Sequence, residues 1–303
     1  MPKSDKAKEK IVRQWLRETA FARDSHKYRR GHALLIAGSD NYSGAAVLCG
    51  NAAMRSGVGL TTLFVPKSIK SEVASRSFPE VIVRALAQNS DRGSKRDAFT
   101  HIKEAYISAD AIAVGCGLST SDHEIEKLVN DVVDNRRVPV ILDASALSFY
   151  SPPKAIPRCE TGRPELILTP HEGEFRKLLG LGVRDIIENR EDAVRNFAQT
   201  NNVVLVLKGN RVLIGEPNGR VVVNPTGNTG LGKAGNGDTL TGIIAGFVAQ
   251  AVQIEIDIFE TVVAAVYIAG LAGDVAEKKY GKRAMMASDV RECLAHVFTK
   301  LSG

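Results

Sequence analysis

Cysteine is scarce in this chain: Cys49, Cys116, Cys159 and Cys293 are the only four in 303 residues. None forms a C-x-x-C pair, so zinc-thiolate and disulfide frameworks find no support. A reduced, cytoplasmic setting is expected. Aromatic residues make up 6% and carry no stacking motif, which argues against a nucleic-acid platform. No run approaches the ~18 consecutive apolar residues of a membrane helix. No apolar stretch near the start resembles a secretory signal. Charge of one sign is also missing from most of the chain. The net charge is +6, and the surplus lies within residues 1–30, with ten Lys/Arg against four Asp/Glu. The other 273 residues hold 30 of each. Neither nucleic acid nor a membrane is therefore an expected partner. The basic start reads as a helical extension (1–30), an amphipathic helix over 3–23 with Ile11, Trp15, Leu16 and Phe21 turned inward and its charges solvated. Asp5, Glu9, Glu18 and Asp24 interrupt the positive charge, unlike an organelle-targeting segment.

Hydrophobic residues reach 44%, enough for one large core. Short apolar runs recur at 33–37, 60–65, 111–114, 138–142, 166–168, 203–207 and 221–223. Helical patterning covers 44–56, 238–250, 259–277 and 287–300. Strands alternating with helices predict a mostly parallel sheet covered on both faces, in one domain spanning 1–303. Polar and glycine residues follow directly on the runs: Gly38-Ser39-Asp40-Asn41, Gly115-Cys116-Gly117, Asp143, Thr169-Pro170-His171 and Lys208-Gly209. Open α/β sheets bind ligands at that end of the strands.

Residues 224–242 form a long glycine-rich segment that three motifs compete for. Gly230-x-Gly232-x-x-Gly235 satisfies the dinucleotide fingerprint, but the next ~60 residues read as helical, without the second strand that fold requires. Gly227-x-x-x-x-Gly232-Lys233 is nearly a Walker A loop, but Ala234 stands where a Ser or Thr hydroxyl must hold Mg²⁺. Gly235-Asn236-Gly237-Asp238 opens a helix. Its glycines admit a ligand close to the backbone, and the helix start offers unpaired N–H groups to an anion. A carboxylate there can take the proton of a hydroxyl that attacks a phosphoryl group. Equally, Asp238 can serve only as the helix N-cap.

These segments, in this order, resemble the NAD(P)H-hydrate dehydratase family of the ribokinase-like superfamily. The match runs from Gly31–Ser39 and Tyr42 through Gly44-Ala45-Ala46, Arg55–Leu60, Gly115–Leu118, Leu142–Leu147, Leu168–Phe175 and Leu207–Gly209 to Gly227–Gly242, most of the chain. The Thr169-Pro170-His171-Glu172-Gly173-Glu174 segment with the downstream Gly-x-Gly-Asp is the specific part.

The resemblance implies a three-layer α/β/α sandwich with a mostly parallel central sheet. It also implies a reaction: hydrated NADH or NADPH is dehydrated at the expense of ADP or ATP. In it, Asp238 is the general base at the ring hydroxyl. Gly235, Asn236 and Gly237 give N–H groups to the transferred phosphoryl group, and Lys208, Gly209, Asn210, Arg211 and Val212 line the nucleotide. Ala45, Gly117 and His171 contact the hydrated dinucleotide. Mg²⁺ bridges phosphate oxygens with few protein ligands, none assigned; a monovalent cation is a superfamily feature only. A homo-oligomer is implied, with a tetramer among its forms, and so is an NAD(P)H-hydrate epimerase on a separate chain, since about 30 residues precede the first strand.

Each role has a plainer alternative. Gly44–Ala46 can pack a helix tightly, Gly115 and Gly117 can be turn glycines, His171 can cap the following helix, and Lys208 can be a surface charge at a strand end. Asp143 can hold metal-bound water or cap a helix and stays outside the catalytic set; Glu174 is equally open. Lys233 can reach a phosphate or point to solvent. The rival activity is a small-molecule kinase of the same superfamily, such as one acting on hydroxyethylthiazole.

Overall fold

The structure, a computed structural model, describes residues 3–21, 25–86, 98–152, 156, 162–182 and 187–302. Cys159, Asp24 and the end of the expected 3–23 helix lie outside them. Among the described residues, nine strands form one sheet: β1 (His32–Ile36), β2 (Leu60–Val65), β3 (Val81–Ala85), β4 (Ala111–Val114), β5 (Val140–Leu142), β6 (Leu166–Leu168), β7 (Val204–Leu207), β8 (Leu213–Gly215) and β9 (Val221–Val223). Their spatial order is β3-β2-β1-β4-β5-β6-β7-β8-β9. Pairing is parallel up to β7, and β8 and β9 complete the sheet antiparallel. The chain starts in mid-sheet, runs to one edge, then returns to β4 beside β1. That reversal is the switch point where open sheets leave a crevice.

The helices are α1 (Lys3–Glu18), α2 (Ser43–Arg55), α3 (Lys70–Arg76), α4 (Ala98–Ile107), α5 (His123–Asp134), α6 (Ser145–Ser148), α7 (Glu172–Leu178), α8 (Arg190–Asn201), α9 (Asn236–Val252), α10 (Ile258–Ala284) and α11 (Ala287–Ser302). Alternate residues of β1 feed two separate cores. Ala33 and Leu35 pack toward α2, α9, α10 and α11, and Leu34 and Ile36 toward α4, α5 and α8. This is the expected three-layer sandwich. Because the central strands are buried on both faces, they read as unbroken apolar runs. Two strands escaped the sequence reading. The edge strand β3 is half-exposed and carries Arg84, and β8 is three residues ending in glycine.

The basic start is an ordered helix docked on the body. The Trp15 ring stacks on Phe247 at 4.1 Å, and its indole N–H donates to Thr261 Oγ1 at 3.1 Å. Val12 is buried and Leu16 partly so, but Phe21 is 50% exposed, contrary to expectation. The helix ends at Glu18, so helical spacing no longer governs Phe21, and the Arg30 guanidinium lies over its ring at 3.7 Å. α10 has an 18-residue window apolar enough for a membrane, yet 78% of that window is buried within the protein. It is a core helix, broken near its end at Gly281.

α2 and α9 pack closely. A Cβ at Gly242 would collide with the Cys49 carbonyl oxygen on α2. This contact fixes the start of α9 beside the mouth of the crevice.

Candidate active site

The strand ends converge on a cleft of about 1110 Å³, which reaches from Asp143 past His171 and Lys208 to the glycine-rich loop and the first turn of α9. The loop is fastened to α10. Gly227 N–H donates to Asp274 at 3.1 Å, as does the Asn228 amide, and Thr226 Oγ1 donates to the Tyr267 carbonyl at 2.8 Å. Lys233 is exposed and borders the cleft, but its ammonium is engaged by backbone carbonyls. Its ammonium donates to the Met285 carbonyl at 2.8 Å and to that of Arg283, closing the end of α10.

The loop ends at Gly235, whose φ of 91° sets it in the left-handed region, and it caps α9 without any side-chain hydrogen bond. Asp238 is therefore not the N-cap; it occupies the third position of the helix. The first-turn N–H groups, including those of Asn236 and Gly237, lack intrahelical acceptors and carry the helix's partial positive charge. Asp238 is half-buried, and its carboxyl is pushed up to about 6, first by burial and then by the negative charge of Asp143. Cys116 and Lys208 act in the opposite direction.

Asp143 lies beside it, 1% exposed. Its Oδ1 accepts from Lys208 Nζ at 2.6 Å and Thr169 Oγ1 at 2.8 Å. Its Oδ2 accepts from Thr241 Oγ1 at 2.9 Å and Cys116 Sγ at 3.7 Å. Burial alone would raise this carboxyl, but the Lys208 ammonium and the hydrogen bonds outweigh it and hold the group below the usual carboxylate range. Lys208, in turn, is raised: its burial is overcome by Asp143 and Glu174. It is no plain surface charge, because its side chain is only 17% exposed and its backbone N–H donates to the Pro170 carbonyl at 2.8 Å.

The turn after Lys208 forms one wall of the cleft through Gly209, Asn210, Arg211 and Val212. Gly209 and Arg211 both take positive φ, and Arg190 secures the turn by donating to the Asn210 carbonyl at 2.8 Å. His171 lines the same cleft and does cap α7. Its Nδ1 accepts from Glu174 N–H at 3.2 Å, while its own backbone N–H donates to the Glu174 carboxylate at 2.7 Å. With Nδ1 as acceptor, a neutral ring carries its proton on Nε2. Ala45 and Gly117 meet at the switch point: a Cβ on Gly117, at φ 68°, would strike Ala45 and Tyr42. They lie outside the lining of the large cleft, on the flank beyond Cys116. Asp143, Thr169 and Thr241 are the residues the sequence reading did not place in the site. Each left a signal: Asp143 and Thr169 directly follow β5 and β6, and Thr241 stands three residues after Asp238 on one helix face.

The model of the NAD(P)H-hydrate dehydratase family matches residues 33–296. The chain belongs to the NAD(P)H-hydrate dehydratase family. An ADP-dependent (S)-NAD(P)H-hydrate dehydratase from Bacillus subtilis is 34% identical over 91% of this chain and 92% of its own. A crystal structure of the ADP/ATP-dependent NAD(P)H-hydrate dehydratase from Bacillus subtilis, co-crystallised with ATP and Mg²⁺, superposes with a TM-score of 0.79 at 31% identity, covering 97% of both chains. A bifunctional NAD(P)H-hydrate repair enzyme from Moorella thermoacetica is 35% identical over 96% of this chain but 54% of its own. The chain thus spans about half the length of the bifunctional members of the family that it matches.

Proposed function

We propose that the protein dehydrates hydrated NADH or NADPH, consuming ADP or ATP, as a cytoplasmic metabolite-repair lyase. The observation that carries this reading is the carboxyl of Asp238, raised to about 6, in the first turn of α9 at the edge of the cleft. Such a group is largely ionised at neutral pH yet still basic enough to accept a proton in the transition state.

In this reading the nucleotide lies along Lys208, Gly209, Asn210, Arg211 and Val212. Its terminal phosphoryl group meets the N–H groups of Gly235, Asn236 and Gly237. Ala45, Gly117 and His171 hold the hydrated nicotinamide, and Asp238 takes the proton of the ring hydroxyl as its oxygen attacks the terminal phosphorus and the bond from phosphorus to the rest of the nucleotide breaks, releasing ADP from ATP or AMP from ADP. The C–O bond then breaks toward phosphate, driven by the ring nitrogen lone pair, and the neighbouring carbon gives up a proton. Hydroxide is a poor leaving group and phosphate a good one, which is why a nucleotide is needed.

Among the described residues, Cys116, Asp143 and Asp238 bring ligand-type atoms within 4.8 Å of one another. The trio does not suit Mg²⁺ directly. Cys116 is a buried thiol held well above its ordinary value, and both Asp143 oxygens already have donors. The fit is that of a counter-ion carried on the nucleotide phosphates and water. Bound so, Mg²⁺ neutralises phosphate charge. We extend the reading to a homo-oligomer, a tetramer being one form, that works alongside an NAD(P)H-hydrate epimerase.

Asp238→Asn tests the assignment. The account expects kcat to fall by roughly 10³-fold or more with nucleotide affinity unchanged. Turnover near that of the wild type would remove Asp238 from the mechanism. A stable phosphorylated product would instead mark a small-molecule kinase.

A further inference from the structure

Asp143 has no role in the reading above, yet it is the most densely bonded carboxylate at the site. Its four donors come from segments far apart in sequence, and each adjoins a working part of the cleft. Cys116 precedes Gly117. Thr169 lies two residues before His171. Lys208 opens the nucleotide turn. Thr241 sits one helical turn after Asp238. A buried ion pair contributes little net stability, because desolvation offsets its attraction. The arrangement therefore asks for another purpose.

We propose that Asp143 is the positioning residue of this site: it ties Lys208 and the first turns of α9 to the ends of three strands, and sets a fixed negative charge against Asp238. Asp143 itself reaches no reacting atom; it acts through Asp238 and Lys208. The charged and titratable groups facing Asp238 are Asp143, Cys116 and Lys208, and Lys208 also faces Glu174. Of these, only Asp143 both opposes ionisation of Asp238 by its charge and bonds to the helix that carries it. The inference rests on the reading of Asp238 as the base.

Asp143→Asn keeps the size and removes the charge. Asp238 then faces the Lys208 ammonium with only Glu174 left to compensate it, and becomes a weaker base. The pH profile of kcat/KM should show its acid limb moved down by roughly one unit. Its kcat should fall at least about tenfold, because Lys208 and α9 lose their tether. Thr241→Val unties α9 and leaves the charge, so it should lower kcat several-fold with the limb unmoved. A limb at the wild-type position in Asp143→Asn overturns the proposal, because a purely structural residue would change yield or Tm and not the profile. If Asp143→Asn does not fold, Thr241→Val decides, and wild-type kcat in that variant overturns the tether.

Thermal unfolding separates this outcome from failure of the proposed function, because it needs no substrate. Asp238→Asn should raise Tm at pH 7.5, and the gain should shrink in the Asp143→Asn background. Equal gains in both backgrounds overturn the electrostatic link even if hydrated dinucleotide is never turned over.

Discussion

Burial and the charge of Asp143 push the Asp238 carboxyl from the ordinary 3.8 up to about 6. The folded protein therefore holds that proton more tightly than the unfolded chain. Stability from this group is fully present below about pH 3.8 and is lost as pH rises through about 6. Asp238→Asn, always neutral, should stabilise the protein at pH 7.5 by about 1–2 kcal/mol after solvent screening, with the difference vanishing at about pH 3, below the ordinary value, as denaturant titration at both pH values will show. The wild-type kcat/KM should fall about tenfold per unit below pH 6. Lys208→Met leaves Asp143 charged and unpaired in the core and should cost roughly 3–5 kcal/mol; a loss under 1 kcal/mol would show that the pair is solvated. The carboxylate proposed as the base was legible in the sequence because Gly-x-Gly-Asp is contiguous and opens a helix. The role of Asp143 was not, because it depends on donors at positions 116, 169, 208 and 241, which only the fold brings together. Nor was the destination of Lys233, which depends on where α10 ends.

At the scale of elements, α1 is held by a few large contacts. Trp15→Ala should lower stability by about 3–5 kcal/mol through the lost stacking on Phe247 and the lost bond to Thr261. An unchanged denaturant midpoint would mean that the helix does not dock. Gly242→Ala should cost at least about 1–3 kcal/mol, because α9 must retreat from the Cys49 carbonyl, and activity should fall with it as Asp238 moves. Buried parallel strands announced themselves as apolar runs, to the residue for β4 and β6, and the bounds of β2 and of the antiparallel β9 were equally legible. The edge strand β3 did not, since one exposed side dilutes its pattern. Helix ends were misread where caps rather than periodicity decide them: Gly235 caps α9, which starts at Asn236, two residues before Asp238, and α1 stops at Glu18.

For the whole molecule, the proposed reading sets the nucleotide along the turn after β7 and the glycine-rich loop, and the hydrated dinucleotide at the β1–β4 switch, with Asp238 between them. A nucleotide that bridges β7 to α9 binds only the folded state, and at a hundred times its Kd should stabilise it by about 2.7 kcal/mol. The layer order followed from alternating elements, whereas the oligomeric state depends on surfaces that carry no periodic signal. The most direct test of the central claim is the absorbance of the reduced nicotinamide on mixing purified protein with hydrated NADH, Mg²⁺ and either ADP or ATP. The account predicts a nucleotide-dependent rise that Asp238→Asn abolishes. A flat trace with both nucleotides, from folded protein that still binds them, would contradict it.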